Sequence, residues 1–99
     1  MKEKNELTID LKKHQVKIAN NEVYLSSKEF DILYLLFSNQ DVAFTKKQIY
    51  EAVWHEPANH SYHAVENTIF QVRKRMKPYS PDHGFIKTVV GFGYRYNAD

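Results

Sequence analysis

The stretch Ala64–Met76, AVENTIFQVRKRM, decides how this chain folds. Val65, Ile69, Val72 and Met76 recur at i, i+4, i+7 and i+11, the single apolar stripe of an amphipathic helix that needs a core. Off the stripe stand Asn67, Thr68, Gln71, Arg73, Lys74 and Arg75, with Phe70 among them. With the stripe turned inward, Lys74, Asn67 and His63 point most directly outward. Gln71 and Phe70 flank them, and Thr68 and Arg75 lie further round. A helix selected only for solubility is more often plain Lys and Glu. This outward set can read a duplex: Asn and Gln donate and accept together as adenine requires, and Lys serves guanine or phosphate. Phe and the Thr methyl suit a thymine methyl.

The chain before this helix supplies its partners. ELTIDLKKHQVKIANNEVYLSS alternates apolar and polar residues, with Leu7, Ile9 and Leu11, then Val16 and Ile18, then Val23 and Leu25. Asn20-Asn21 marks a turn, so the segment predicts a small antiparallel sheet with one face on a core. A first helix begins after Ser26, which caps it. Glu29 completes a capping box, Leu25 can staple onto Phe30, and Phe30, Leu33, Tyr34, Leu36 and Phe37 make a wide apolar face. A second helix repeats the device with Thr45 as cap, Gln48 in the box and Phe44 able to staple onto Ile49. Its stripe is Ile49, Ala52 and Val53, ending at Trp54, and Pro57 stops it.

The third helix spans roughly 62–77 and is stopped by Pro78 and Pro81. Two β-rich runs follow, Phe85 to Val90 and Tyr94 to Tyr96, joined through Gly91-Phe92-Gly93 as a hairpin. The order of sheet, three helices and closing hairpin is α+β. Two helices joined by a modest loop, the second basic and amphipathic, suggest a helix-turn-helix. A compact hairpin tip beyond such a helix has the shape of a wing.

Composition narrows the function classes. At 99 residues the chain is one domain, large enough to bury a core without staples. Residues 1–6 read as a linker or disordered N-terminus and 7–97 as the domain. There is no cysteine, which excludes disulfides and thiolate metal sites. No apolar run has the length of a membrane span and no signal-peptide core is present, so a cytoplasmic protein without a membrane partner is expected. The net charge of +2 says little, but its distribution says more. From Asn67 to Ala98 six Lys/Arg stand against one acid, Asp82, whereas from Met1 to Glu66 eight stand against ten. The C-terminal third is the candidate electropositive face.

Four blocks, LSSKEFDILYLL, TKKQIYEAVW, AVENTIFQVRKRM and IKTVVGFGYRY, resemble the DNA-binding effector domain of OmpR/PhoB-type two-component response regulators. The resemblance runs from about Leu7 to Tyr96 in uninterrupted order. Its most specific parts are Leu-x-x-x-Glu-Phe, the Val-Trp closing the second helix, Val-Glu-x-x-Ile-x-x-Val-Arg-Lys, and Thr-Val-x-Gly-x-Gly-Tyr-Arg. It implies a winged helix-turn-helix that binds double-stranded promoter or operator DNA to regulate transcription in bacteria. The third helix enters the major groove and the hairpin 85–96 is the wing, with Gly91, Phe92 and Gly93 at its tip.

By the same resemblance the recognition positions are His63, Asn67, Thr68, Phe70, Gln71, Arg73 and Lys74. Lys46, Trp54 and Thr88 fall where the backbone is touched. Within this set, base readout is expected from Asn67, Thr68, Phe70, Gln71 and His63, and phosphate contact from Lys46, Trp54, Arg73, Lys74, Arg75, Lys87, Thr88 and Arg95. The start of the second helix favours a phosphate through its free N–H groups and dipole. The loop 55–61 corresponds to a segment that can contact RNA polymerase. In such regulators a receiver domain, phosphorylated in a phosphorelay from a histidine kinase, precedes this one and drives dimerisation on direct-repeat DNA.

The chain departs from the pattern at three positions. Val90 stands where many members carry an arginine that enters the minor groove, and Phe70 and Gln71 occupy positions that are often arginine. A shallower salt dependence is therefore expected, with Lys87, Arg95 or an apolar contact from Phe92 in compensation. Readout leaning on Asn67, Thr68 and Gln71 favours A·T-rich targets.

Other constellations are weaker. His55, His60 and His63 cluster with Glu51 and Glu56 nearby but make no closed ligand set, so no metal and no cofactor is expected. His63 near DNA could gain a contact on protonation. No nucleophile elbow, cysteine nucleophile or paired carboxylates point to an enzyme. Most tyrosines and phenylalanines fall on apolar periodicities and read as core, Phe70 excepted. The reading from a different class is a winged-helix module that binds protein, with Phe70 as anchor and the basic residues as rim.

Overall fold

A computed structural model describes residues 6–59 and 62–98. The first sheet is three-stranded and antiparallel: β1 (Leu7–Asp10), β2 (Gln15–Ile18) and β3 (Asn21–Val23), in that order. Its pairings Val16↔Val23 and Leu7↔Ile18 put Leu7, Val16, Ile18 and Val23 on one buried face. That is the alternation expected of a half-wet sheet. The tight turn is Ala19-Asn20, both with positive φ, one residue before the expected dipeptide. Leu11 does not extend the β1 alternation: β1 ends at Asp10, and Leu11 sits in the following turn and is exposed.

Three helices follow, α1 (Ser27–Phe37), α2 (Lys46–Trp54) and α3 (His63–Met76). Both expected capping boxes form. Ser26 Oγ accepts from Glu29 N at 3.3 Å while Ser26 N donates to Glu29 Oε1 at 2.8 Å. Thr45 Oγ1 accepts from Gln48 N at 3.1 Å, and Thr45 N donates to Gln48 Oε1 at 2.9 Å. Each box satisfies N–H groups that a helix start otherwise leaves open. α2 ends as His55 turns into the left-handed region, and α3 passes at Lys77 into a 3-10 turn through Pro78.

One core joins the three helices to both sheets. Phe30, Ile32, Leu33 and Leu36 from α1 meet Ile49 and Val53 from α2 and the whole α3 stripe of Val65, Ile69, Val72 and Met76. Ile32, absent from the expected α1 face, is fully buried, whereas Ala52 on α2 is exposed. Phe70 is not the single aromatic outside the core, since Tyr24, Tyr79 and Phe92 are exposed as well.

The closing hairpin is β5 (Ile86–Val89) and β6 (Gly93–Tyr96). It is not free-standing. Phe44 and Thr45, just before α2, form a short strand β4 that pairs with β6, Phe44↔Tyr94 and Thr45↔Gly93, giving a sheet of order β4-β6-β5. Two residues between two helices carry no strand periodicity, so this pairing has no local signal. Gly93, expected at the wing tip, instead lies buried in β6. A Cβ there would stand 2.0 Å from the Phe44 carbonyl oxygen. The tip itself is Val90-Gly91-Phe92, closed by Phe92 N donating to Val89 O at 2.9 Å, with Gly91 at φ 77°. No helix of the described residues is long and apolar enough to cross a membrane.

Candidate nucleic-acid interface

Burial of the α3 stripe leaves the remaining arc of that helix facing solvent. Asn67, Phe70 and Lys74 are exposed, Gln71 is half-buried, and Phe70 keeps 62% of its surface open. His63 is almost fully open at the start of the helix. Thr68 is half-buried, and its hydroxyl donates to Ala64 O one turn back at 2.7 Å. The methyl is therefore the part of Thr68 left for apolar contact, since the hydroxyl is already engaged.

The wing is bound to this helix through Arg73. Its guanidinium donates to Ile86 O at 2.9 Å and Thr88 Oγ1 at 2.8 Å, and it lies over the Tyr94 ring. One side chain thus fixes β5 against α3 through hydrogen bonds and a cation–π contact. Because strand residues alternate faces, Thr88 and Tyr94 form the face toward Arg73, while Lys87 and Arg95 stand opposite each other on the other face. Arg95 Nη1 also donates to Tyr96 O at 3.3 Å. At the tip Val90 is 92% exposed and Phe92 half open, beyond any apolar neighbour that would bury them.

Between the wing tip and the beginnings of α2 and α3 runs a groove of about 460 Å³, lined among others by Lys46, Lys47, Tyr62, Thr88 and Phe92. Lys46 at its edge is not a free cation. Its Nζ donates to Glu66 Oε2 on the first turn of α3, and His63 Nδ1 stands 3.6 Å from the other carboxylate oxygen. The hydrogen bond, more than the charge, holds Glu66 below the ordinary carboxylate range, and the same bond raises Lys46. A lowered carboxylate value means that the pair's contribution is present above the unfolded value and fades as pH falls through the folded one. Glu66 had no sequence signal as a site residue, because its partner lies 20 positions away on another helix.

Two residues expected at the DNA backbone make contacts within the fold. Arg75 Nε donates to Oε1 of the buried Glu29 at 2.9 Å, so it reaches α1 and adds a bond to the carboxylate of the capping box there. Trp54 stacks on Tyr50 with centroids 5.0 Å apart, under Lys28, whose Nζ also donates to Val53 O. Among the described residues no group of three or more His, Cys, Asp or Glu is placed to hold a metal ion. His60, part of the expected histidine cluster, lies outside the described residues, as do Ser61 of the loop 55–61 and residues 1–5 of the N-terminal segment 1–6.

Three helices packed with two small antiparallel sheets, the third helix outward-facing and flanked by a hairpin, define a winged helix-turn-helix domain. The chain belongs to the family described as transcriptional regulatory protein, C terminal, which matches over residues 20–96. The OmpR/PhoB-type resemblance drawn from the four sequence blocks is borne out by this membership and by its relatives. The response regulator ArlR of Staphylococcus aureus is 34% identical over 90 residues, 91% of this chain and 41% of ArlR. DrrB, a Thermotoga maritima OmpR/PhoB homolog, is 30% identical with a TM-score of 0.78, covering 92% of this chain and 41% of DrrB. The RstA DNA-binding domain from Klebsiella pneumoniae, solved in complex with RstA box, is 26% identical with a TM-score of 0.80, covering 91% of this chain and 89% of that one. The chain thus spans about two fifths of the length of ArlR and DrrB.

Proposed function

We propose that the domain binds double-stranded DNA sequence-specifically to regulate transcription, with α3 in the major groove and the β5–β6 hairpin as wing. The observation that carries this reading is the arc of Asn67, Phe70, Gln71 and Lys74 left open when the α3 stripe is buried, held beside the wing by Arg73. Base readout falls to Asn67, Gln71 and the Thr68 methyl, with Phe70 on thymine methyls and His63 at the helix start. Lys74 and Thr88 meet phosphates. Lys87 and Arg95, like charges directly opposite on one ladder, oppose folding on their own and gain from a phosphate beside them. The wing tip makes an apolar contact through Val90 and Phe92 in place of a charged one. Arg75 and Trp54 serve the fold, Arg75 through Glu29 and Trp54 through Tyr50 and Lys28.

The partners of a whole regulator are proposed on the same ground: a receiver domain phosphorylated by a histidine kinase, dimerisation on direct-repeat DNA, and RNA polymerase at the loop 55–61. The described part of that loop is tied to α2 by Ala58 N donating to Glu51 Oε2 at 3.2 Å. A regulator acting on promoter DNA works in the cytoplasm.

Selection of bound sequences from random duplex DNA is the direct test, with A·T-rich sites expected. G·C-rich sites would show that the readout by Asn67 and Gln71 is misassigned, and no enrichment at all would favour a protein-binding module anchored on Phe70. Two substitutions separate reading from holding. Gln71→Ala is expected to cost about 1–3 kcal/mol at one base position and relax specificity there. Lys74→Ala should weaken all sequences alike and reduce the salt slope by about one. Arg75→Ala should leave that slope unchanged. It should instead lower stability by about 1 kcal/mol, since Glu29 keeps the Ser26 N–H when it loses the guanidinium.

A further inference from the structure

We propose that Glu66 is a charge brake built into the recognition helix: it cancels Lys46 at the edge of the groove and so weakens attraction to every DNA sequence. The inference rests on the DNA-binding reading above. Lys46 stands at the start of α2, beside the groove that the wing closes, where a cation would ordinarily hold a phosphate. Its Nζ is bound to Glu66 Oε2, and both side chains remain more than a third open. Any phosphate approaching Lys46 therefore meets the Glu66 carboxylate as well, and the pair presents no net charge to it.

The fold had simpler ways to satisfy these groups. An acid in the first turn of α3 helps its dipole wherever it points, and needs no lysine. A lysine at the start of α2 sits at the positive end of that dipole, so nothing in α2 itself gains from a cation there. The two are brought together across 20 residues at Lys46, one of the residues that line the groove. His63 Nδ1 stands 3.6 Å from the other oxygen of the same carboxylate. The other group that bears electrostatically on Lys46 is the Tyr94 phenol of β6. With Arg73 committed to the wing and Arg75 to Glu29, the brake leaves base contacts a larger share of the binding energy.

The test is a four-protein comparison on a labelled random-sequence duplex across a salt series at one fixed pH. Wild type, Glu66→Gln, Lys46→Met and the double variant are compared. Glu66→Gln is expected to bind about threefold tighter near 0.1 M salt, the effect of one unit charge on a phosphate a few ångström away through water. Its salt slope should steepen by about 0.9, one further phosphate neutralised. Lys46→Met should weaken binding by a similar factor, and the double variant should return to the wild-type affinity and slope. If Glu66→Gln and the double variant both lose affinity while circular dichroism and melting stay native, the pair positions α3 instead, and the brake is overturned. An unchanged slope in Glu66→Gln overturns it too. Wild type that shows no salt-dependent binding to any duplex removes the DNA-binding reading itself, and the brake with it.

Discussion

Val72→Asp is expected to leave the domain without a cooperative unfolding transition. Val72 is fully buried at the centre of the α3 stripe, where that helix crosses α1. It belongs to the same apolar core as Phe30, Leu33, Leu36 and Ile69, where a carboxylate replaces a side chain that meets hydrocarbon. An unpaired charge in such a site costs several kcal/mol or is neutralised at comparable cost. Against a net stability of about 5–15 kcal/mol, and near the lower end for so small a domain, that is most of what there is. Lys74→Asp, two residues on but exposed, is the control and should melt cooperatively. The comparison is a thermal melt followed by circular dichroism. A sharp transition in Val72→Asp within a few degrees of wild type would mean that the stripe is not the seam it is taken to be.

Gly93→Ala should be nearly as damaging, for a steric reason. The added methyl would lie 2.0 Å from Phe44 O and 2.9 Å from Phe44 C and Thr45 Cα, all backbone atoms that no rotamer can move. Strand β4 must part from β6, and Thr45 in that strand is also the cap of α2. One methyl thus loosens the wing from the helix pair and disturbs the start of α2 together. Overpacking of this kind costs about 3 kcal/mol, a fall in Tm of roughly 12–24 °C for a domain this size. The other glycines calibrate it. Gly91→Ala meets no atom within 4 Å but must adopt a φ of 77°, and should lose about 1 kcal/mol. Gly84→Ala meets nothing and has no such φ, and should be neutral. If Gly93→Ala melts with Gly84→Ala, the β4–β6 contact is not what secures the wing.

Much of this domain is written locally. The caps Ser26 and Thr45 lie next to the residues they bond, and the stripe of Val65, Ile69, Val72 and Met76 follows from helical period alone. Both were legible for that reason, as were the exposed Asn67 and Lys74 opposite the stripe. What the sequence does not show involves partners distant in sequence. Arg75 reads as one of three cations at a helix end, and only the packing of α3 on α1 gives it Glu29, 46 positions away. Arg73 is turned to the wing by β5, and Lys46 is neutralised by Glu66, pairs that no spacing announces. Gly93 reads as half of a tight tip because Gly-x-Gly commonly is one. The backbone of Phe44, brought alongside by the second sheet, is what requires it to be glycine.

The sequence by itself determined the three helices, the first sheet and the closing hairpin, their order and most of the α3 packing, because hydrophobic periodicity and helix caps act over a few residues. It determined the family too, through four blocks in fixed order. The tertiary structure alone decided which charges remain available to a partner. An ion pair forms only where packing brings two groups within about 4 Å, and the same arginine or lysine is a phosphate ligand or a structural brace according to what stands beside it. On this domain that choice ties Arg75 to Glu29 of α1, gives Arg73 to the wing and sets Glu66 against Lys46.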